Sequence, residues 1–436
     1  MLDTFIELLK DAAVLVSAFT LIGCVIQGKS ANETIISVSK TFIGFILLFA
    51  GAKLMISPAL KQFSHIFMMA FHVEGIVPNN EVIIVEAIAQ LGRDFGSAIA
   101  FGLIGAMGLN LLFARITPLK FVVLSGHHVF FMVSCLALIS ILHGYSIATS
   151  AVIGSVITGA WCVISPSLLV GYCRRIKGCE PLRLNGDFSI GQFGSTSYML
   201  AGFLGDKFGN KANDIENVKI PTAIGFLTDK NTSNFVVMLI FFLVSSAVAG
   251  FDNVQQLANA TVKHGAENVF LFILKQSGSF AAGVFVLTKG VHMFVEELIP
   301  AFKGISDKLI KNSVPAVEIY SLFSYSKNAV FVGFICCTMA GFVAMVMLPL
   351  FGLPVIIPSL LFTFASGGGA GIIGNATGGT RGCILGSLAC GFISIIGSGI
   401  VFQPIHDAGV TAPTTYSTTD FSILGEGLHL VLSLLS

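Results

Sequence analysis

Charge is scarce in this sequence. Asp, Glu, Lys and Arg make up 11% of its 436 residues, against about 25% in an ordinary soluble domain, so the chain cannot clothe a globular surface in solvated side chains. The scarcity is also local: no charged residue falls between Lys327 and Arg381, nor from Gly382 to Ile405. A formal net charge of +1 offers no basic surface, and no nucleic-acid partner is expected. Cysteines form no CxxC pair and lie mostly inside apolar runs (Cys24, Cys135, Cys336, Cys337, Cys390), which makes them small buried hydrophobes rather than metal or redox groups. Zinc motifs, catalytic triads and nucleotide sites are absent too, so neither a catalytic residue nor a metal or other cofactor is expected. Gly367-Gly368-Gly369-Ala370-Gly371 matches a phosphate loop only in composition. It lacks the Gly-Lys-Ser/Thr ending and reads as close helix packing.

What is present is apolar. Hydrophobic residues account for 54% of the chain, and the mean hydropathy is +0.88. Because about 20 apolar residues cross a bilayer core, the chain reads as a polytopic α-helical membrane protein, all-α, with about 10–11 spans. Candidate segments are 12–27, 38–57, 95–114, 121–142, 146–171, 233–250, 267–290, 328–348, 353–370 and 382–403. No small-residue cleavage site follows the first, which reads as a retained helix rather than a signal peptide.

The polar stretch 174–232 separates five segments from five. Its Arg174, Arg175, Lys177, Arg183, Lys207, Lys211, Lys219 and Lys230 place it in the cytoplasm by the positive-inside bias, and counting back puts the N-terminus outside. The organisation expected is therefore 1–173, a connection at 174–232 and 233–436. One constant offset pairs Gly51 with Gly290, Gly44 with Gly283, Leu48 with Leu287, Phe63 with Phe302 and Gly102 with Gly341. Asp187-Phe188-Ser189-Ile190 recurs as Asp420-Phe421-Ser422-Ile423 at nearly the same offset. An odd number of spans per half makes such repeats inverted, with a ligand site near the midplane where they meet. The alternative is an ancient duplication without alternating access.

In each half an amphipathic stretch precedes a polar break: Pro58–His72 before Pro78-Asn79-Asn80-Glu81, and Glu296–Lys311 before Pro315–Glu318. Polar backbone at membrane depth survives only where protein or a watery cavity satisfies it, so both read as re-entrant tips. Ser125-Gly126-His127-His128 interrupts the fourth apolar run. Intramembrane imidazoles need partners. Adjacent histidines point to different helix faces, which argues against a metal and leaves either a polyhydroxylated ligand or an interhelical contact. Gly186–Gln192 reads as a hairpin tip, with Gln192 able to donate and accept. For Glu81 and Glu318 the alternative to ligand binding is capping a helix N-terminus.

Several stretches are similar to one family: Ile43-Gly44-Phe45-Ile46-Leu47-Leu48-Phe49-Ala50-Gly51, Ser125-Gly126-His127, Phe188-Ser189-Ile190-Gly191, Gly290-Val291-His292-Met293-Phe294-Val295-Glu296-Glu297-Leu298, Ala301–Ser306 and Asn328-Ala329-Val330. In this order they resemble the L-ascorbate permease subunits (IIC) of the bacterial phosphotransferase system. The resemblance implies a homodimer in the inner membrane, with a core domain and a V-shaped dimerisation domain working by an elevator-like movement. It also implies phosphorylation of the solute by a separate IIB subunit fed by IIA.

Carried over by position, the pocket would comprise Asn80, Glu81, the run His127, His128, Val129, Phe130 and Phe131, then Gln192, Phe193 and Glu318. His127 keeps the family's residue. The family has Gln at Phe131, His-Gln at Gln192-Phe193 and Thr-Tyr at Asn80-Glu81. Phe130 and Phe193 would be apolar walls, and the second carboxylate favours a neutral sugar or polyol over an acid. The family's last membrane helix is expected to be curtailed after Gly425-Glu426-Gly427. The rival from another class is an ion-coupled secondary transporter with Glu81 or Glu318 as proton carrier.

Overall fold

The computed structural model describes residues 12–72, 75–183, 186–218, 229–261, 267–323, 325–407 and 409–435. The N-terminus, Lys219 and the rest of 219–228 lie outside the described residues. The first half runs α1 (Ala12–Gln27), α2 (Ala31–Ala50), a π-helical turn (Gly51–Ile56), α3 (Ser57–Phe71), β1 (Gly75–Ile76), α4 (Asn80–Leu91), α5 (Arg93–Ile116), β2 (Phe121–Val123), α6 (Gly126–Leu142), α7 (Ile147–Cys173), β3 (Ser189–Ile190) and α8 (Ser195–Phe208). The second runs α9 (Lys230–Ala249), α10 (Phe251–Thr261), α11 (Val269–Leu309), β4 (Val314–Val317), a 3-10 turn (Ile319–Leu322), α12 (Lys327–Met347), β5 (Val355–Ile356), α13 (Leu360–Asp407) and α14 (Thr419–Leu435). Helix starts follow local chemistry. Ser30 and Glu33 form a reciprocal capping box on α2, and the Asn79 side chain accepts the Val82 amide at 2.9 Å to open α4.

Among the described residues, six helices are long and apolar enough to cross a membrane: α2, α5, α7, α11, α12 and α13, or up to seven if α9 and α10 form one span. Those two helices meet at a 116° bend. α13 runs 48 residues but is non-helical at Gly378 and Gly379, so the segments 353–370 and 382–403 share one broken helix. Gly379 has φ of +59° and sits against the Asn210 and Asn213 carbonyls, a conformation that glycine alone adopts without strain.

The all-α expectation is corrected by five short strands, all paired in parallel. β1 pairs with β5, and β4 lies between β2 and β3. They replace helix at the start of two expected spans. Phe121-Val122-Val123 is β-branched and aromatic, while Pro354 and Pro358 withhold amide donors. Pro413 and Thr415 carbonyls accept the Val77 and Asn79 amides at 3.2 and 3.0 Å. β1 is thus flanked by β5 and by 413–415, just as β4 is flanked by β2 and β3.

The paired glycines explain themselves at the crossing of α2 and α11. A Cβ at Gly51 would stand 2.7 Å from the Gly283 carbonyl oxygen, and one at Gly290 would stand 2.5 Å from that of Gly44. Gly44 and Gly51 therefore meet each other's counterparts in crossed order, as two copies of one segment do about a two-fold axis. Gly367 and Gly371 likewise press on Cys337 and the Ala329 carbonyl of α12, which is helix packing. The tetrapeptide match does not survive. Asp187 is a bridge residue just before β3, paired with Arg174 at 2.7 Å, whereas Asp420 is fully buried in the first turn of α14.

Candidate functional site

A strand that pairs in parallel and then breaks delivers the next helix by its N-terminus. α4 follows β1, α6 follows β2, α8 follows β3 and α13 follows β5, while α14 follows the 413–415 segment. These starts surround a cavity. One wall is different: Thr288 and His292 come from the flank of α11, on either side of Gly290 in its glycine crossing.

Of the residues named from sequence, Asn80, Glu81, His127, His128, Phe131, Gln192 and Glu318 line this cavity. The Asn80 side-chain oxygen accepts the Ser417 amide at 2.8 Å and is 3.1 Å from its hydroxyl, fixing one tip to the chain before α14. His127 Nε2 lies 2.9 Å from Glu318 Oε1. His127 and His128 do not diverge as neighbours in mid-helix do. Their ring centroids are 4.3 Å apart and both face the cavity, because they occupy the opening turn of α6. Phe131 stacks edge-on to both rings, one helical turn on.

Val129, Phe130 and Phe193 do not line the cavity, which corrects their expected place. Residues 129 and 130 fall off the 127–131 face. Phe130 packs edge-on against Phe45, and Val129 is buried in the main core. Phe193 is fully buried between His128 and Phe421.

Sequence reading missed Thr288, His292, Tyr320, Ser359, Ser417 and Thr418. The run Thr411–Asp420, polar and broken by Pro413, carried the signal that identified the other tips. Thr288 and His292 sit in an uninterrupted helix and gave none. His128 Nδ1, Gln192 Oε1 and Thr288 Oγ1 are buried without a hydrogen-bond partner among the described residues. Such groups are costly unless something binds them.

The helix N-termini bring positive dipole ends toward the cavity. Much of that field is answered already. Glu81 sits in the first turn of α4, Glu318 faces His127, and Asp420 accepts the first amides of α8 while lying in the first turn of α14. Among the described residues no three His, Cys, Asp or Glu side chains are grouped to hold a metal ion. What the arrangement can do is hydrogen-bond a small polyhydroxylated solute beside aromatic faces.

Residues 7–420 match the family described as "EIIC-GAT: PTS system sugar-specific permease component". A curated relative from Mycoplasma pneumoniae, "Ascorbate-specific PTS system EIIC component", is 27% identical over 457 aligned positions. The alignment covers 93% of this chain and 67% of that protein.

Proposed function

This chain belongs to the galactitol/ascorbate family of sugar-specific permease (IIC) components of the phosphotransferase system, a multi-pass membrane family, and from that membership we propose that the cavity between α11 and the helix tips is its solute site. One observation carries the reading. Polar side chains from both halves, Asn80, His127 and Gln192 from the first and Glu318, Ser417 and Thr418 from the second, converge on one cavity. Membership implies a sugar substrate and IIA and IIB partners. The solute is ascorbate or a related small sugar or polyol. The relative's name supports the former, while the two carboxylates and Phe131 favour a neutral ligand.

Solute enters from outside and passes to phosphorylated IIB at the inner face. The crossed glycine pairs and the matching strand arrangements support an inverted repeat, the architecture in which a midplane site alternates between faces. On this reading the helix tips and the helices behind them form the moving core. The α2–α11 crossing belongs to the V-shaped dimerisation domain of a homodimer, the movement is elevator-like, and Met1 lies outside. Titrating purified protein with L-ascorbate and neutral polyols, with His127→Ala as the comparison, tests the site: unaltered binding by that variant would remove it.

A further inference from the structure

We infer that Asp420 is a positioning residue for solute binding: from outside the cavity it clamps the two tips that carry Gln192 and Thr418. The inference rests on the cavity being the solute site. The geometry is specific. Asp420 is fully buried, yet its carboxylate belongs to α14 and its donors belong to other elements. One oxygen accepts the Ser195 amide at 3.1 Å, the Ser195 hydroxyl and the Trp161 indole N–H at 3.0 Å. The other accepts the Thr196 amide at 3.1 Å and the Thr196 hydroxyl at 2.8 Å.

These contacts tie α14 to the opening turn of α8 and to the middle of α7. A second tie runs beside them, from the Thr418 hydroxyl to the Phe193 carbonyl. The residues on either side of the clamp face the cavity. Gln192 precedes Phe193, and Thr418 is two positions before Asp420. Gln192 is 2% exposed and its side-chain oxygen has no hydrogen-bond partner among the described residues, so its aim depends on the backbone that holds it. That backbone is fixed behind by β4, where a Cβ at Gly191 would be 2.6 Å from the Ala316 carbonyl oxygen. Ahead it is fixed by the Asp420 clamp on Ser195. Asparagine at 420 keeps the size but replaces one acceptor oxygen with a donor amide, which opposes the donors already there.

The test is a double-mutant cycle read as binding affinity, by calorimetry in detergent, for whichever of L-ascorbate and galactitol binds the wild-type protein more tightly. Gln192→Ala alone should weaken binding. Asp420→Asn alone should weaken it by roughly tenfold to a hundredfold and should add less in the Gln192→Ala background, because part of its effect acts through Gln192. Thr196→Val removes the hydroxyl that Asp420 shares with Thr419 and leaves the Thr196 amide in place, so it tests the clamp even if Asp420→Asn does not fold. It should show a smaller loss with the same non-additivity. A residue that only stabilised the fold would lower the melting temperature and leave affinity alone, or would weaken both backgrounds equally; either result overturns the inference. Binding unaffected by Gln192→Ala would instead reject the cavity as the site.

Discussion

His127 Nε2 stands 2.9 Å from Glu318 Oε1, and this contact joins the two halves of the chain across the cavity. Both side chains are largely covered, at 12% and 23% exposure, so the pair is shielded from solvent while still facing the cavity. Glu318→Gln removes the charge and keeps the shape. A hydrogen bond to a charged group is worth about 1.5–3 kcal/mol, and the expected result is a tenfold to hundredfold weaker solute affinity. Expression and oligomeric state should be unchanged. Unchanged affinity in the purified variant would return Glu318 to a purely structural role.

The glycine crossing predicts where a methyl group cannot go. Gly290→Ala places a Cβ 2.5 Å from the Gly44 carbonyl and forces α2 and α11 apart, a strain of about 1–3 kcal/mol. Gly108 on α5 has nothing within 4 Å of the same position, so Gly108→Ala should be neutral or slightly stabilising. Thermal unfolding in detergent compares the two, and equal melting temperatures would discard the close approach.

The helical character of the fold was legible because membrane helices announce themselves by length and hydropathy. Of the about ten to eleven spans expected, however, only six, or seven counting the bent pair, are long and apolar enough among the described residues. The paired glycines pointed to close helix contacts because they touch backbone. The strands were not legible. Two to four residues leave no periodicity, and Phe121-Val122-Val123 reads as the start of a span until its partner, nearly two hundred positions later, is known. The match of Asp187–Ile190 with Asp420–Ile423 misled for a related reason. Identity of four side chains says nothing of environment, and one aspartate meets an exposed arginine while the other meets buried helix amides. In the site, tips broken by polar residues and proline were found, whereas Thr288 and His292 were hidden in regular helix.

The proposed orientation rests on the basic residues of the 174–232 stretch. Lys211 is 66% exposed, and a cysteine there should resist a membrane-impermeant maleimide in intact cells and react after permeabilisation. Described native cysteines are buried or nearly so, which keeps the background low. Labelling in intact cells would reverse the proposed orientation.

Energy coupling separates the family's chemistry from the ion-coupled rival. Solute taken up should be recovered as its phosphate ester, and only when IIA and IIB are supplied. Accumulation of free solute by this chain alone, driven by a proton gradient in vesicles, would favour Glu81 or Glu318 as a proton carrier.

Solute charge is the sharpest question about specificity. An anionic solute roughly 4 Å from a carboxylate repels it by about 4 kcal/mol at an effective dielectric near 20. Several neutral hydrogen bonds of about 1 kcal/mol each are needed to offset that. Glu81 and Glu318 both face the cavity, and the helix dipoles that could welcome an anion are already engaged. Neutral polyols should therefore compete with L-ascorbate for the purified protein at neutral pH. Tight ascorbate binding that neutral sugars do not displace would overturn this preference.

The parallel strands also constrain how the protein is made. Among the described residues, β2, at 121–123, finds its strand partner in β4, at 314–317, and β1 finds its strand partner in β5, at 355–356. Asn110 of α5 already holds the Phe121 carbonyl and the Val123 amide within the first half. The backbone groups that face β4 and β5 wait for the second half, and each costs several kcal/mol if buried unless water or another chain covers it. Such distant pairings form late. A nascent chain released after α8 should insert its helices yet leave its tips open, a natural substrate for membrane quality-control proteases. Completion of the strands would mark the moment at which newborn protein escapes them.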